Sequence, residues 1–294
     1  NPKPQTPNPK PQTPNPSNNN NMSIARAFRL GICQMITVAN KQANLTRAQD
    51  FVRNAAKGGA DIICLPEMFN CPYTKEYFKD FSESLEEPKS SETYTCLSSL
   101  AQETGKWLVG GSMVERDSQE RLYNTSLVFD RKGKLVAKHR KVHMFDIDIP
   151  GQYYKESETL TAGNQITVFQ TEYCKIGLGI CYDIRFPEQS LIMGREGAEM
   201  LIFPASFNPT TGPLRFELLA KARALDTQSF VVLAAPARDL KQKGGYLTWG
   251  HSTVVNPNGL TIAQAELDEK LLFVDVNLED VRRQRQGFPF DKQR

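Results

Sequence analysis

The chain reads as an α/β fold with strands enough for two helix-covered sheets, and three observations carry that reading. Segments of helical period alternate with short apolar runs of strand length. Between residues 90 and 138 one helix is followed by three successive strands, which requires antiparallel as well as parallel neighbours, so the sheets are mixed. With 294 residues, 39% hydrophobic and 23% charged, the chain has ample material for a core in one large domain or two small ones.

Taken in order, Leu30–Met35 is a strand-like run, and Asn44 is placed to cap the helix in which Leu45, Ala48, Phe51, Val52 and Ala55 share one face. Gly58 and Gly59 end that helix, and Asp61–Leu65 follows as a buried strand. A second helix covers about 90–104 and stops at Gly105. Strands are expected at Trp107–Val114, Leu122–Phe129, Leu135–Lys138, Ile166–Phe169 and Ile176–Ile180. Pro187 and Pro213 each open a helix, because proline suits the first helical position, where its missing N–H is not needed. Met200–Phe203, Phe230–Ala234, Ser252–Val255 and Leu271–Val276 complete the strands.

Residues 1–21 differ in kind. NPKPQTP occurs at 1–7 and again at 8–14, followed by an asparagine run, and such a segment buries too little apolar surface to offset its ordering entropy. It is expected to be a disordered tail, with the folded domain spanning 22–294. From Met22 the sequence MSIARAFR carries two arginines and no acid, a faint transit-peptide character, but it runs directly into a strand. Six cysteines without a CxxC pair lie mostly in apolar runs, as reduced core cysteines do. The cytoplasm is the expected compartment, with the mitochondrion second. A net charge of +3 is too mild for a nucleic-acid partner, and no run of roughly 18 apolar residues offers a membrane span. The three histidines show no metal-ligand spacing, so no metal is expected.

Functional groups in open α/β sheets collect beyond the carboxyl ends of strands, and three reactive side chains meet that condition. Glu67 follows the DIICLP strand, Lys141 follows the strand through Leu135, Val136 and Ala137, and Cys181 ends the run Ile176–Ile180. Alone, each has an ordinary explanation: a loop acid, a wet basic cluster, a small buried hydrophobe. Together they supply the acid or base, cation and nucleophile that acyl transfer needs. At a strand-to-helix corner, Cys181 is expected to face unpaired N–H groups that favour thiolate.

The segments LPEMF around Glu67, HRKVHMFDID around Lys141 and GICYDIRFPE around Cys181 resemble, in order, the three motif blocks of the nitrilase, or carbon–nitrogen hydrolase, superfamily. The resemblance runs from about residue 26 to 290. It implies a four-layer α-β-β-α sandwich and a Glu-Lys-Cys triad carried onto Glu67, Lys141 and Cys181. The superfamily's second glutamate maps onto Glu156, although the loop Gly151–Tyr154 before it is one residue shorter than the pattern. NCPYTKEYF, VHMFDIDIPG, TTGPLRFELL and WGHSTVVNPNG are closer to the ω-amidases, which cleave monoamides of dicarboxylic acids such as α-ketoglutaramate and α-ketosuccinamate to the 2-oxo diacid and ammonia.

That likeness implies a thioester on Cys181 with no cofactor, the thiol activated by Lys141 and the helix N-terminus, and an oxyanion held by Lys141 and the Tyr182 N–H. Tyr182, where nitrile hydrolysers carry tryptophan, favours an amide. Arg185 is placed to bind a distant carboxylate, with a structural salt bridge as the competing explanation. Tyr73, Phe207 and Thr210 with Thr211 are candidates for the pocket lining. A homodimer is implied, with residues 280–294 reaching toward the partner. The alternatives are a deaminated-glutathione amidase, an N-carbamoyl amidohydrolase, or a non-catalytic interaction protein, against which the retained acid, cation and thiol argue.

Overall fold

A computed structural model describes residues 27–149, 152–239 and 246–293; the expected tail at 1–21 and residues 22–26 of the segment that starts at Met22 lie outside the described residues. Two mixed sheets stack face to face. The first runs Lys270–Val276, Phe28–Gln34, Ile62–Cys64, Trp107–Val109, Leu122–Phe129, Met113–Arg116, Glu83–Ser84, with Leu135–Arg140 also paired to Leu122–Phe129. The second runs Thr167–Gln170, Lys175–Leu178, Met200–Pro204, Phe230–Ala234, Thr253–Val255, Thr261–Gln264.

Period-2 alternation decides which face each side chain serves. Leu30, Ile32, Ile62, Cys64 and Val109 of the first sheet meet Ile176, Leu178, Met200, Ile202 and Val232 of the second in one dry cluster between the sheets. Cys33, Ile63 and Leu108 point the other way, under the helices Lys41–Lys57 and Glu92–Thr104. Leu201, Phe203, Val231 and Leu233 likewise face the helices Pro187–Arg195 and Gly212–Thr227. The result is the four-layer α-β-β-α sandwich.

The helix ends follow local chemistry, with one correction. Asn40, not Asn44, caps Lys41–Lys57, its side chain accepting from Ala43 N at 2.9 Å. Asn44 is instead buried inside the helix, where its amide donates to Val38 O and Asn70 O and its carbonyl accepts from Val38 N. The stretch 107–114 is two strands rather than one, broken where Gly111 adopts φ +61° against Pro66 O. Lys75–Phe81 forms a helix, and Asp146–Ile149 pairs antiparallel with Gln152–Lys155, neither of which the polar sequence signalled.

The C-terminal helices Glu279–Gly287 and Phe290–Gln293 pack on their own chain. Gln228 Nε2 donates to Gln284 O and Phe288 O, and Arg285 donates to Ala198 O. No helix among the described residues is long and apolar enough to cross a membrane.

Candidate active site

Loops that leave strands of the two sheets meet at one end of the sandwich. Glu67 lies three residues beyond the strand Ile62–Cys64, Cys181 three beyond Lys175–Leu178, Ser206 two beyond Met200–Pro204, and Lys141 directly after Leu135–Arg140. Glu156 opens the 3₁₀ turn Glu156–Glu158 that follows the hairpin.

Glu67, Lys141 and Glu156 are wholly buried and joined. Lys141 Nζ donates to Glu67 Oε1 at 3.3 Å, to Glu156 Oε1 at 3.1 Å and to Tyr73 Oη at 3.2 Å, and lies 2.8 Å from Glu156 Oε2. Glu67 Oε1 also accepts from Asn124 Nδ2 at 2.9 Å, and its Oε2 from Ser206 N at 2.7 Å. Glu156 Oε2 accepts from Phe145 N at 2.7 Å, and Tyr73 Oη donates to Glu156 Oε1 at 2.8 Å. Tyr73, read from sequence as pocket lining, is therefore tied to the two charged groups and borders the vestibule outside the cleft rather than the cleft itself. Burial opposes a charge on Lys141, but Glu156 and then Glu67 outweigh it and hold the ammonium well above its ordinary value. Burial raises the Glu67 carboxyl above the usual range, partly countered by Lys141 and reinforced by Glu156.

Cys181 is 4% exposed and sits at φ +46°, a left-handed conformation that a side chain adopts at some cost. Its Sγ donates to Ser206 O at 3.7 Å, and the Glu67 carboxyl lies close enough to influence its titration. The expected thiolate is overturned. Burial raises the thiol well above its ordinary value, the Glu67 charge adds to this, and Lys141 only partly opposes it. The corner explains why: Cys181–Arg185 is a five-residue 3₁₀ turn, and the α-helix begins only at Pro187, so no long helix points at the sulfur. Both the thiol and the neighbouring Glu67 carboxyl are thus displaced upward, the acid by burial and the thiol by burial and the acid's charge.

One side chain fixes the Lys141 loop to the Cys181 turn. Buried Asp183 accepts through Oδ1 from Val142 N (3.2 Å), His143 N (2.9 Å) and His143 Nδ1 (2.8 Å). Its Oδ2 is 3.0 Å from His139 Nε2 and accepts from Ile180 N at 2.9 Å. Although burial opposes the charge, these donors, led by the two histidines, hold its carboxyl far below the usual range. Sequence reading missed Asp183, His139 and His143; two of three histidines lying within five residues of Lys141 was the available signal.

Over Cys181 lies a narrow cleft lined by Phe145, Tyr182, Arg185, Ser206, Phe207, Thr211 and Tyr246. It thus brings together Tyr182, Arg185 and Phe207 as expected, but not Thr210. Thr210 is exposed; its neighbour Thr211 is buried and lines the cleft, because Asn208 Oδ1 accepts from both backbone N–H groups and from Thr211 Oγ1, turning only Thr211 inward. Tyr182 stacks edge-on to Phe145, and its N–H finds no acceptor among the described residues. Arg185 has no acidic partner there either: burial and then the like charge of Arg215 push its guanidinium below its usual value, and its buried Nε is unpaired. Phe145 and Tyr246 also border a wider vestibule of about 360 Å³ with Tyr73, Tyr153 and Tyr154. Tyr246, absent from the sequence reading, donates to Ser206 O at 2.6 Å.

Comparison with known proteins agrees with this arrangement. Residues 29–286 match the carbon-nitrogen hydrolase family. A hydrolase of Schizosaccharomyces pombe is 47% identical over 270 residues, covering 92% of this chain and 82% of its own. An omega-amidase of Xenopus tropicalis is 46% identical over 268 residues, covering 91% and 95%. The crystal structure of Saccharomyces cerevisiae Nit3, a member of branch 10 of the nitrilase superfamily, superposes with a TM-score of 0.82 at 38% identity over 90% of this chain and 96% of that one. Sandwich, motif order and similarity along nearly the whole described chain converge: the protein belongs to the carbon–nitrogen hydrolase family and is a hydrolase of amide C–N bonds.

Proposed function

We propose that this chain is an ω-amidase, hydrolysing the terminal amide of short dicarboxylic monoamides, α-ketoglutaramate and α-ketosuccinamate among them, to the 2-oxo diacid and ammonia. The observation that carries the substrate choice is Arg185, a cation with no acidic partner among the described residues, in the same cleft as the Cys181 sulfur. An anion there restores charge balance and offers the guanidinium a bidentate partner. Similarity to omega-amidases over most of the chain supports the same reading.

In the mechanism, Glu67 takes the Cys181 proton as sulfur attacks the amide carbon, so the raised thiol pKa is matched by a neighbouring carboxyl that is raised as well. The oxygen's growing charge falls to the Lys141 ammonium and the Tyr182 N–H, where one donor is typically worth about 10²–10³ in rate. Glu67 returns its proton to the leaving nitrogen, and ammonia departs from a Cys181 thioester. Water then attacks with Glu67 again as base. Glu156 and Tyr73 hold Lys141 charged and aimed. A homodimer is part of this reading. Leu214, Leu218 and Leu225 stand exposed on the helix Gly212–Thr227, an apolar surface that a second copy would cover.

The test is a panel of amides assayed for ammonia and acid, with Cys181→Ala in parallel. Turnover of ω-monoamides of dicarboxylic acids, lost in Cys181→Ala, is expected. Activity surviving in Cys181→Ala, or a preference for deaminated glutathione or N-carbamoyl compounds, would overturn the proposal.

A further inference from the structure

We propose that a small cavity of mixed polarity beside Glu67 supplies the water that hydrolyses the Cys181 thioester, a claim that rests on the thioester amidase reading above. The cavity measures about 30 Å³ and is bounded by Thr37, Glu67, Ser206, Asp239, Tyr246 and Thr248 among others. Such a space holds about two molecules the size of water, since about 10–15 Å³ suffices for one. Cys181 and Arg185 do not border it. They border the neighbouring cleft, and Ser206 and Tyr246 belong to both walls.

Substrate orientation follows from these positions. A distal carboxylate at Arg185 and a carbonyl carbon at Cys181 turn the leaving nitrogen toward Glu67, whose carboxyl also borders the cavity. Ammonia departs from the position that water must next occupy. Hydrogen bonding leaves room for that water. An ionised carboxylate has about four acceptor positions. In the resting protein Glu67 accepts from Asn124, Lys141 and Ser206. One position is left for a water O–H once ammonia has departed.

The chemistry balances without any co-reactant beyond water. A C–O bond forms as the water proton passes to Glu67, the C–S bond breaks, and the proton returns to the thiolate. Tyr246 stands at the boundary of the two spaces, its hydroxyl fixed on Ser206 O.

The experiment fills the cavity and reads which half of the cycle slows. In Ala237→Leu, whose side chain would project from the cavity wall, kcat and KM are expected to fall together by about tenfold, with kcat/KM held within about twofold, because kcat/KM reports steps only through ammonia release. Intact-mass spectrometry should then show the thioester accumulating. Thr248→Leu serves the same purpose should Ala237→Leu not fold. In unmodified protein, hydroxylamine should intercept the thioester and O-benzylhydroxylamine should not. A fall in kcat/KM, unaltered kinetics in a folded variant, or equal trapping by both nucleophiles would overturn the water site. Loss of the amidase reading itself would appear separately, as an unmodified protein inactive on the amide panel or a Cys181→Ala variant still active.

Discussion

Glu156 Oε2 lies 2.8 Å from Lys141 Nζ, with neither side chain reached by solvent. The pair is connected on both sides, to Phe145 N and Tyr73 Oη from Glu156 and to Glu67 from Lys141, so the ammonium is fixed in direction as well as in charge. Glu156→Gln removes the larger of the two carboxylate contributions that raise the lysine. Its pKa is expected to fall, moving the alkaline limb of kcat to lower pH, with kcat reduced about 100-fold. Glu156→Ala, which leaves the polar cage without a partner, should cost about 3–5 kcal/mol of stability in denaturant titration.

Glu67→Gln separates thiol ionisation from catalysis. Burial keeps the Cys181 thiol high in the variant, but the Glu67 charge and hydrogen bond that raise it further are gone while Lys141 still favours thiolate. Thiolate absorbance near 240 nm should therefore titrate at lower pH than in the parent, yet amide hydrolysis should fall by about 10³-fold or more, for want of a proton donor to the leaving nitrogen. A variant with more thiolate and undiminished turnover would contradict the assigned role.

The acid limb of kcat/KM should lie above the usual glutamate value of about 4.3. Burial raises the Glu67 carboxyl and the base must be ionised, so activity is lost on acidification through that raised value. On the alkaline side, Lys141 and the Cys181 thiol are both displaced upward, so activity should persist past the ordinary thiol range of about 8.5. Initial rates in overlapping buffers test both limbs.

Arg185→Gln is expected to raise KM for dicarboxylic monoamides by about 10- to 100-fold while leaving a simple alkyl amide little changed, because only the former has a distal charge to lose. Arg185→Lys should recover part of the loss, lacking the paired donor geometry.

Asp183→Asn tests the link between the Lys141 loop and the Cys181 turn. The Asp183 carboxyl is depressed in the folded protein, so its stabilising contribution is fully present above the unfolded value of about 3.9 and is lost as pH falls through the folded value. The Tm deficit of the variant should be large at neutral pH and shrink on acidification. A shift of about 1 Å between cation and sulfur should also cut kcat about 100-fold with KM little altered, a split that loss of stability alone would not produce.

Local patterning made two helix-covered sheets legible, and the family resemblance implied the sandwich. Strand-like runs marked Leu122–Phe129 and Phe230–Ala234 at their observed limits, and the three reactive groups were found because each follows a strand. Errors arose where neighbours distant in sequence decide the outcome. Asn44 has the chemistry of a cap, yet contacts with Val38 and Asn70 buried it, and Asn40 took the role. Thr210 and Thr211 are alike in composition, and only the Asn208 turn tells which one faces the cleft.

By itself, then, the sequence determined the layers, the order of the three motif blocks, and which acid, cation and thiol stand at strand ends, since these depend on side-chain chemistry and on repeat periods of 2 and 3.6 residues. Only the tertiary structure decided that burial and the Glu67 charge push the thiol up, that Asp183 joins the two catalytic loops, and that Ser206 and Tyr246 stand between a water-sized cavity and the cleft over Cys181. The reason is physical. Proton affinity and enclosed volume depend on desolvation and on charges within a few ångströms, supplied here by segments more than 100 residues apart, as Glu67 and Ser206 are.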